Sequence, residues 1–143
     1  MSRWAITVAR FYEDIAERLV SGATECLKEA DGDAEIDVFD VPGAFELPLA
    51  AKYAADSGNY DGVVCLGCVI RGETDHYDFV CAEAARGIEE VQLATGVPCA
   101  FGVLTVDSRE QALARSGGGK RDSGRHAAEA VLALARLREQ LAP

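Results

Sequence analysis

The stretch Val63-Val64-Cys65-Leu66-Gly67-Cys68-Val69-Ile70-Arg71-Gly72-Glu73-Thr74-Asp75-His76 decides how this chain folds. Its first eight residues are apolar without interruption, the pattern of a strand buried on both faces. The run stops at Arg71-Gly72 and polar groups follow. Phe79, Val80, Ala84, Gly87, Ile88 and Val91 then recur at helical spacing. A central strand therefore turns through a glycine loop into a helix, with Thr74 and His76 at the junction. A helix start offers unpaired N–H groups and the positive end of a dipole, a place suited to an anion.

Outward from this stretch the same alternation repeats. Trp4 to Ala9 reads as a first strand. Ile15, Leu19, Ala23, Cys26 and Leu27 form the apolar stripe of a helix after it. Asp31-Gly32-Asp33 is a turn, and Ile36 to Val41 alternates as an edge or exposed strand. Pro42-Gly43 ends it, and a helix begins over Ala44 to Pro48 and runs to about Asp56, with Pro48 tolerable only near its first turn. Cys99 to Val106 is a fourth strand. Ser108 caps a short helix, Ser116 to Gly124 is a glycine-rich loop of flexible composition, and Ala128, Val131, Leu132 and Ala135 mark the last helix.

Strand and helix in alternation imply a parallel sheet covered on both faces. The expected fold is a single-domain three-layer α/β/α sandwich over residues 1–143, flavodoxin-like, with a four-stranded parallel sheet. In such sheets ligands bind beyond the carboxyl ends of the strands. Those ends are Arg10-Phe11, Pro42 to Glu46, Ile70 to His76 and Thr105 to Asp107, and the chemically unusual residues all fall there.

The 143 residues suffice for one hydrophobic core, and 49% hydrophobic composition is that of a folded chain. A net charge of −10 disfavours nucleic acid and anionic membranes as partners. No apolar run reaches membrane-spanning length and Met1-Ser2-Arg3-Trp4 does not open a signal peptide, so a cytoplasmic location is expected. Five cysteines, an odd count, do not suggest a disulfide framework. Cys65 and Cys68 form a C-x-x-C, but inside a strand residues three apart face opposite ways, which argues for core packing over redox or zinc chemistry. There is no G-x-G-x-x-G, P-loop or metal-ligand cluster. A phospho-acceptor receiver would need carboxylates where Arg10-Phe11 stand.

Each candidate has two readings. Phe11 is either a hydrophobic staple on the first helix or a ring for stacking on a planar heterocycle. Glu46 is either dipole compensation in a first turn or a ligand to substrate. His76 is either a solvated or capping helix-start residue or a functional group beside the anion-suited helix start. Arg115 closes the short helix, where a cation suits the dipole. Lys120, Arg121 and His126 read as solvated.

Together these residues carry a resemblance. Ala9-Arg10-Phe11, Val41-Pro42-Gly43-Ala44-Phe45-Glu46-Leu47-Pro48, Leu66 to His76, Val97-Pro98 to Thr105 and Glu110-Gln111-Ala112-Leu113 resemble the 6,7-dimethyl-8-ribityllumazine synthase family in order and spacing, over nearly the whole chain. The segments P-G-A-F-E-[IL]-P and I-R-G-x-T-x-H in combination are specific. The resemblance implies the penultimate step of riboflavin synthesis. A ribitylaminopyrimidinedione condenses with 3,4-dihydroxy-2-butanone 4-phosphate to give the lumazine, phosphate and water, with no metal or organic cofactor.

The resemblance also implies residue roles. Phe11 stacks on the pyrimidine, and Ala44, Phe45 and Glu46 line the pyrimidine and ribityl pocket. Cys68, Val69 and Ile70 supply strand-end contacts, Glu73 and Thr74 receive phosphate, and His76 transfers protons. Phe101 and Arg115 come from a neighbouring subunit of a homo-oligomer, a pentamer or a multiple of pentamers. Tyr12 stands where the family often has Asn, Ser123 at its second loop lysine and His126 where Glu is common; only a few residues precede the first strand, where many shell-forming members carry another. The competing classes are a flavin- or lumazine-binding paralogue and a shell-forming scaffold. The presence of His76, Thr74 and Arg115 favours the enzyme.

Overall fold

The computed structural model describes residues 2–143. In chain order its elements are β1 (Arg3–Ala9), α1 (Glu13–Ala30), β2 (Glu35–Val41), a 3-10 turn (Ala44–Glu46), α2 (Leu47–Asp56), β3 (Gly62–Ile70), α3 (His76–Thr95), β4 (Cys99–Val106), α4 (Arg109–Ala114) and α5 (Ser123–Leu141). The sheet is four-stranded in the order β2-β1-β3-β4, and every pairing is parallel. It is the α/β sandwich expected from the sequence. β3 sits between β1 and β4, from Trp4↔Gly62 on one side to Ile70↔Val106 on the other.

Strand geometry sends alternate residues to opposite faces, and each face has its own core. Ile6, Val8, Val64, Leu66 and Cys68 pack with Ile15, Leu19, Ala23 and Leu27 of α1 and Ala127, Ala128 and Val131 of α5. Ala5, Ala9, Val63 and Cys65 pack with Leu47, Ala51 and Ala54 of α2 and Val80, Ala84, Ile88 and Val91 of α3. Cys65 and Cys68 thus lie on opposite faces, as their spacing requires, and both are free thiols.

Four details differ from the sequence reading. The segment Ala44–Glu46 is a 3-10 turn, and the α-helix starts only at Leu47, which puts Pro48 within its first positions. Phe79 is 68% exposed although its neighbour Val80 is buried. The glycine-rich segment is shorter than expected, because α5 begins at Ser123. Its base is also fastened. Ser116 bridges Asp122, the Gly117 N–H donates to the Arg121 carbonyl (3.0 Å), and Arg18 Nε donates to Ser116 Oγ (2.9 Å). Gly117 and Gly118 supply the positive φ values, 100° and 81°, that turn the chain there.

The layer of α1 and α5 depends on one contact that only glycine permits. A Cβ at Gly124 would lie 2.1 Å from the Leu19 carbonyl oxygen. Gly124→Ala must therefore push two helix backbones apart. Overpacking of this kind costs about 1–3 kcal/mol. Urea titration should show the variant's midpoint falling with the fold retained; an unchanged midpoint would mean that the helices do not meet this closely.

Candidate active site

The carboxyl ends of β1, β2 and β3 converge on a cavity of about 350 Å³. Phe11, Ala44, Phe45, Glu46, Cys68, Val69, Ile70 and His76 all line it. Three further residues line it that their sequence context marks only as a family departure, a turn and a core position: Tyr12, Gly43 and Val80. Val80 stands one helical turn after His76, a spacing that puts both on the same face of α3.

Each wall has a local cause. Phe11 stands two residues past the end of β1 and is 75% exposed, its ring edge-on to Tyr12 with centroids 4.9 Å apart. Arg10 fixes this corner: its backbone N–H continues the ladder to the Val41 carbonyl (3.0 Å), and its Nε donates to Asp40 Oδ1 (2.8 Å). The same guanidinium pairs with Glu13 and Glu17. The hydrogen bond to Asp40 raises its pKa above the ordinary arginine value. The Pro42-Gly43 turn is closed by Glu46, whose Oε1 accepts from the Gly43 N–H at 3.0 Å. Glu46 therefore has a structural task as well as a place in the cavity wall.

α3 begins at His76, on the cavity rim. Among the described residues no side-chain hydrogen bond from the N-cap Asp75 closes this helix start. Thr74 Oγ1 accepts from the His76 N–H at 3.4 Å. Glu73 and Thr74 are exposed on the loop just before it. Neither they nor the two remaining candidates line this cavity. Phe101 is 40% exposed on β4, opposite Cys65 in the middle of β3. It lies five residues before the strand end at Val106, about 16 Å back along the strand. Arg115 caps the end of α4 and donates from Nη1 to the Gln111 carbonyl (3.1 Å).

A larger apolar hollow of about 640 Å³ adjoins between α2 and α3, sharing Phe45 and Glu46 and lined further by Pro48, Leu49, Tyr53 and Gly87. It is the roomier of the two, but it has neither the histidine nor the helix start in its wall. Among the described residues no group of three His, Cys, Asp or Glu side chains could hold a metal ion, and no helix is long and apolar enough to cross a membrane.

A histidine, an aromatic ring and a helix start gather at the strand ends of a parallel α/β sandwich, the edge at which such sheets bind ligands. The sequence model of 6,7-dimethyl-8-ribityllumazine synthase matches residues 1–139. The 6,7-dimethyl-8-ribityllumazine synthase of Desulfatibacillum aliphaticivorans is 47% identical over 139 residues, covering 96% of this chain and 90% of that protein. That of Salinibacter ruber (strain DSM 13855 / M31) is 45% identical over 140 residues, covering 97% and 90%. The chain belongs to the 6,7-dimethyl-8-ribityllumazine synthase family.

Cys68 forms part of the cavity wall, yet burial pushes its thiol up to about 11, and those of Cys65 and Cys99 to about 12. All three stay protonated at neutral pH, so Cys68 is an apolar wall and not a nucleophile. Thiol titration at pH 8 should leave these three unlabelled in the native protein and label them in denaturant. Rapid native labelling of Cys68 would contradict this.

Proposed function

We propose that this chain condenses 5-amino-6-(D-ribitylamino)pyrimidine-2,4-dione with 3,4-dihydroxy-2-butanone 4-phosphate to give 6,7-dimethyl-8-ribityllumazine, phosphate and water. The observation that carries this is the clustering of Phe11, Phe45, Glu46, Ile70 and His76 around one cavity at the strand ends. Phe11 stacks on the pyrimidine, and Ala44, Phe45, Glu46, Cys68, Val69 and Ile70 enclose the ring and its ribityl chain. Glu73 and Thr74 present the helix start to the phosphate.

The pyrimidine's 5-amino group attacks the substrate ketone, and loss of water gives an imine. Removal of a proton from the adjacent carbon lets the phosphate leave, and the resulting enol becomes a ketone. The ribitylamino nitrogen then attacks that ketone and a second water departs, closing the ring. Each step moves a proton, which an imidazole does well near neutral pH. Holding two reactive partners together supplies much of the rate.

Phosphate departure needs a cation, and Arg115 is the candidate, contributed with Phe101 by a neighbouring subunit. Support for a shared site comes from the distance of Phe101 from its own chain's cavity and from its exposure. The exposed Leu49, Tyr53, Phe79 and Leu93 likewise suit an oligomer, which we assign as a pentamer or a multiple of it. The 143 residues act as one domain, and the free thiols suit the reducing cytoplasm.

Mixing both substrates with the protein and following lumazine fluorescence tests the reaction directly; no product above the uncatalysed rate would refute it. His76→Ala should lower single-turnover formation by about 10²-fold, the low end for general acid–base catalysis, because water can supply protons once the partners are aligned. An unchanged rate would make His76 a helix-start residue only. Arg115→Ala should weaken use of the phosphate substrate roughly ten- to a hundredfold, the value of a charge-assisted contact, while pyrimidine binding is kept. Equal loss toward both substrates would make Arg115 structural.

A further inference from the structure

Arg71 follows β3 directly and does not line the cavity, yet its side chain ties the start of α3, which does, to the end of β4. Its backbone N–H donates to the Val106 carbonyl (2.9 Å), extending the β3–β4 ladder into the loop. Its Nε donates to Asp107 Oδ1 (3.1 Å) just beyond β4, and its Nη1 lies 3.5 Å from Asp78 Oδ1 in the first turn of α3. The guanidinium also lies over the Tyr77 ring, 4.2 Å from its centroid. Asp107 in turn is oriented by its own N–H, which donates to Gln111 Oε1 (2.8 Å) of α4. Gln111 lends its carbonyl to Arg115 Nη1 (3.1 Å).

We propose that Arg71 is a positioning residue for the reaction: it clamps the turn Gly72–Asp75 and the start of α3 to the end of β4, and so fixes His76 and Thr74 relative to the bound partners. The geometry separates it from the catalytic group. His76 and Val80 face the cavity, whereas Tyr77 and Asp78, the residues that Arg71 holds, stand on the following positions of α3. At this helix start the N-cap Asp75 contributes no side-chain cap among the described residues, and Thr74 Oγ1 accepts from the His76 N–H only at 3.4 Å. Arginine suits the task because a planar fork can hold a carboxylate on each side while its face lies on an aromatic ring; lysine offers only a point charge. The Arg71 side chain is 48% exposed and its two carboxylate partners more so, so the ion pairs contribute little to global stability. Their effect is on where the turn sits.

The inference rests on the reaction proposed above, and the wild-type assay keeps the two apart: absence of wild-type turnover refutes the reaction, whereas the variants judge only Arg71. Arg71→Ala should lower kcat roughly ten- to a hundredfold, the cost of a small misplacement, with KM for either substrate and the thermal midpoint nearly unchanged. Arg71→Lys should recover part of kcat. Asp107→Asn, which weakens the other end of the clamp, should lower kcat in the same way, and the double variant should lose less than the product of the two single losses. The Asp107→Asn result decides the matter if Arg71→Ala does not fold. A raised KM for the phosphate substrate with kcat intact would make Arg71 a direct phosphate ligand and overturn the proposal. Unchanged kcat in both variants, or fully independent effects, would overturn it as well.

Discussion

β3 is hydrogen-bonded along both edges, to β1 and to β4, and its residues from Gly62 to Cys68 are buried on both faces. No other strand of the sheet has neighbours on both sides except β1, and β1 delivers Phe11 to the same edge. Because all pairings are parallel, every carboxyl end opens in one direction. The site is a consequence of that arrangement. Once Ile70 is paired with Val106, the next residues leave the sheet, and the start of α3 is set beside the ends of β1 and β2. A slip of one residue in β3 would exchange Cys65 and Cys68 between the two cores and turn Val69 from the cavity wall.

Much of this could be read in the residues. The unbroken run Val63 to Ile70 gave the central strand, the 3.6-residue stripe from Ile15 to Leu27 gave α1, and every residue of that stripe is buried. The Ser108 cap is present, with its Oγ accepting from the Gln111 N–H at 3.2 Å. The cavity residues were legible because a parallel sheet has only one edge at which turns carry chemistry. Tyr12 as a cavity wall was not, because tyrosine after a strand carries no mark of function.

Other features were hidden for physical reasons. Periodicity finds Phe79 next to Val80, but it cannot say how far round the helix the neighbouring layer extends, and α3 leaves Phe79 in the open. Composition marks Ser116 to Gly124 as loose, yet Arg18, nearly a hundred residues earlier, fastens its start through Ser116 Oγ (2.9 Å) and the Gly117 carbonyl. The clamp at Arg71 joins residues from three separate segments, which no local pattern reveals. Phe101 and Arg115 were drawn into the site by family resemblance alone; within one chain the sheet keeps Phe101 well back from the strand ends.

That separation makes the shared site the central claim, and subunit complementation tests it most directly. His76→Ala and Arg115→Ala chains, unfolded together and reassembled, form mixed oligomers. If each site takes His76 from one chain and Arg115 from its neighbour, random mixing leaves about a quarter of the sites with both residues intact. Lumazine formation should then rise clearly above that of either variant reassembled alone. If both residues serve the site from the same chain, no mixed site is intact, and activity that stays at the average of the two variants would contradict the account.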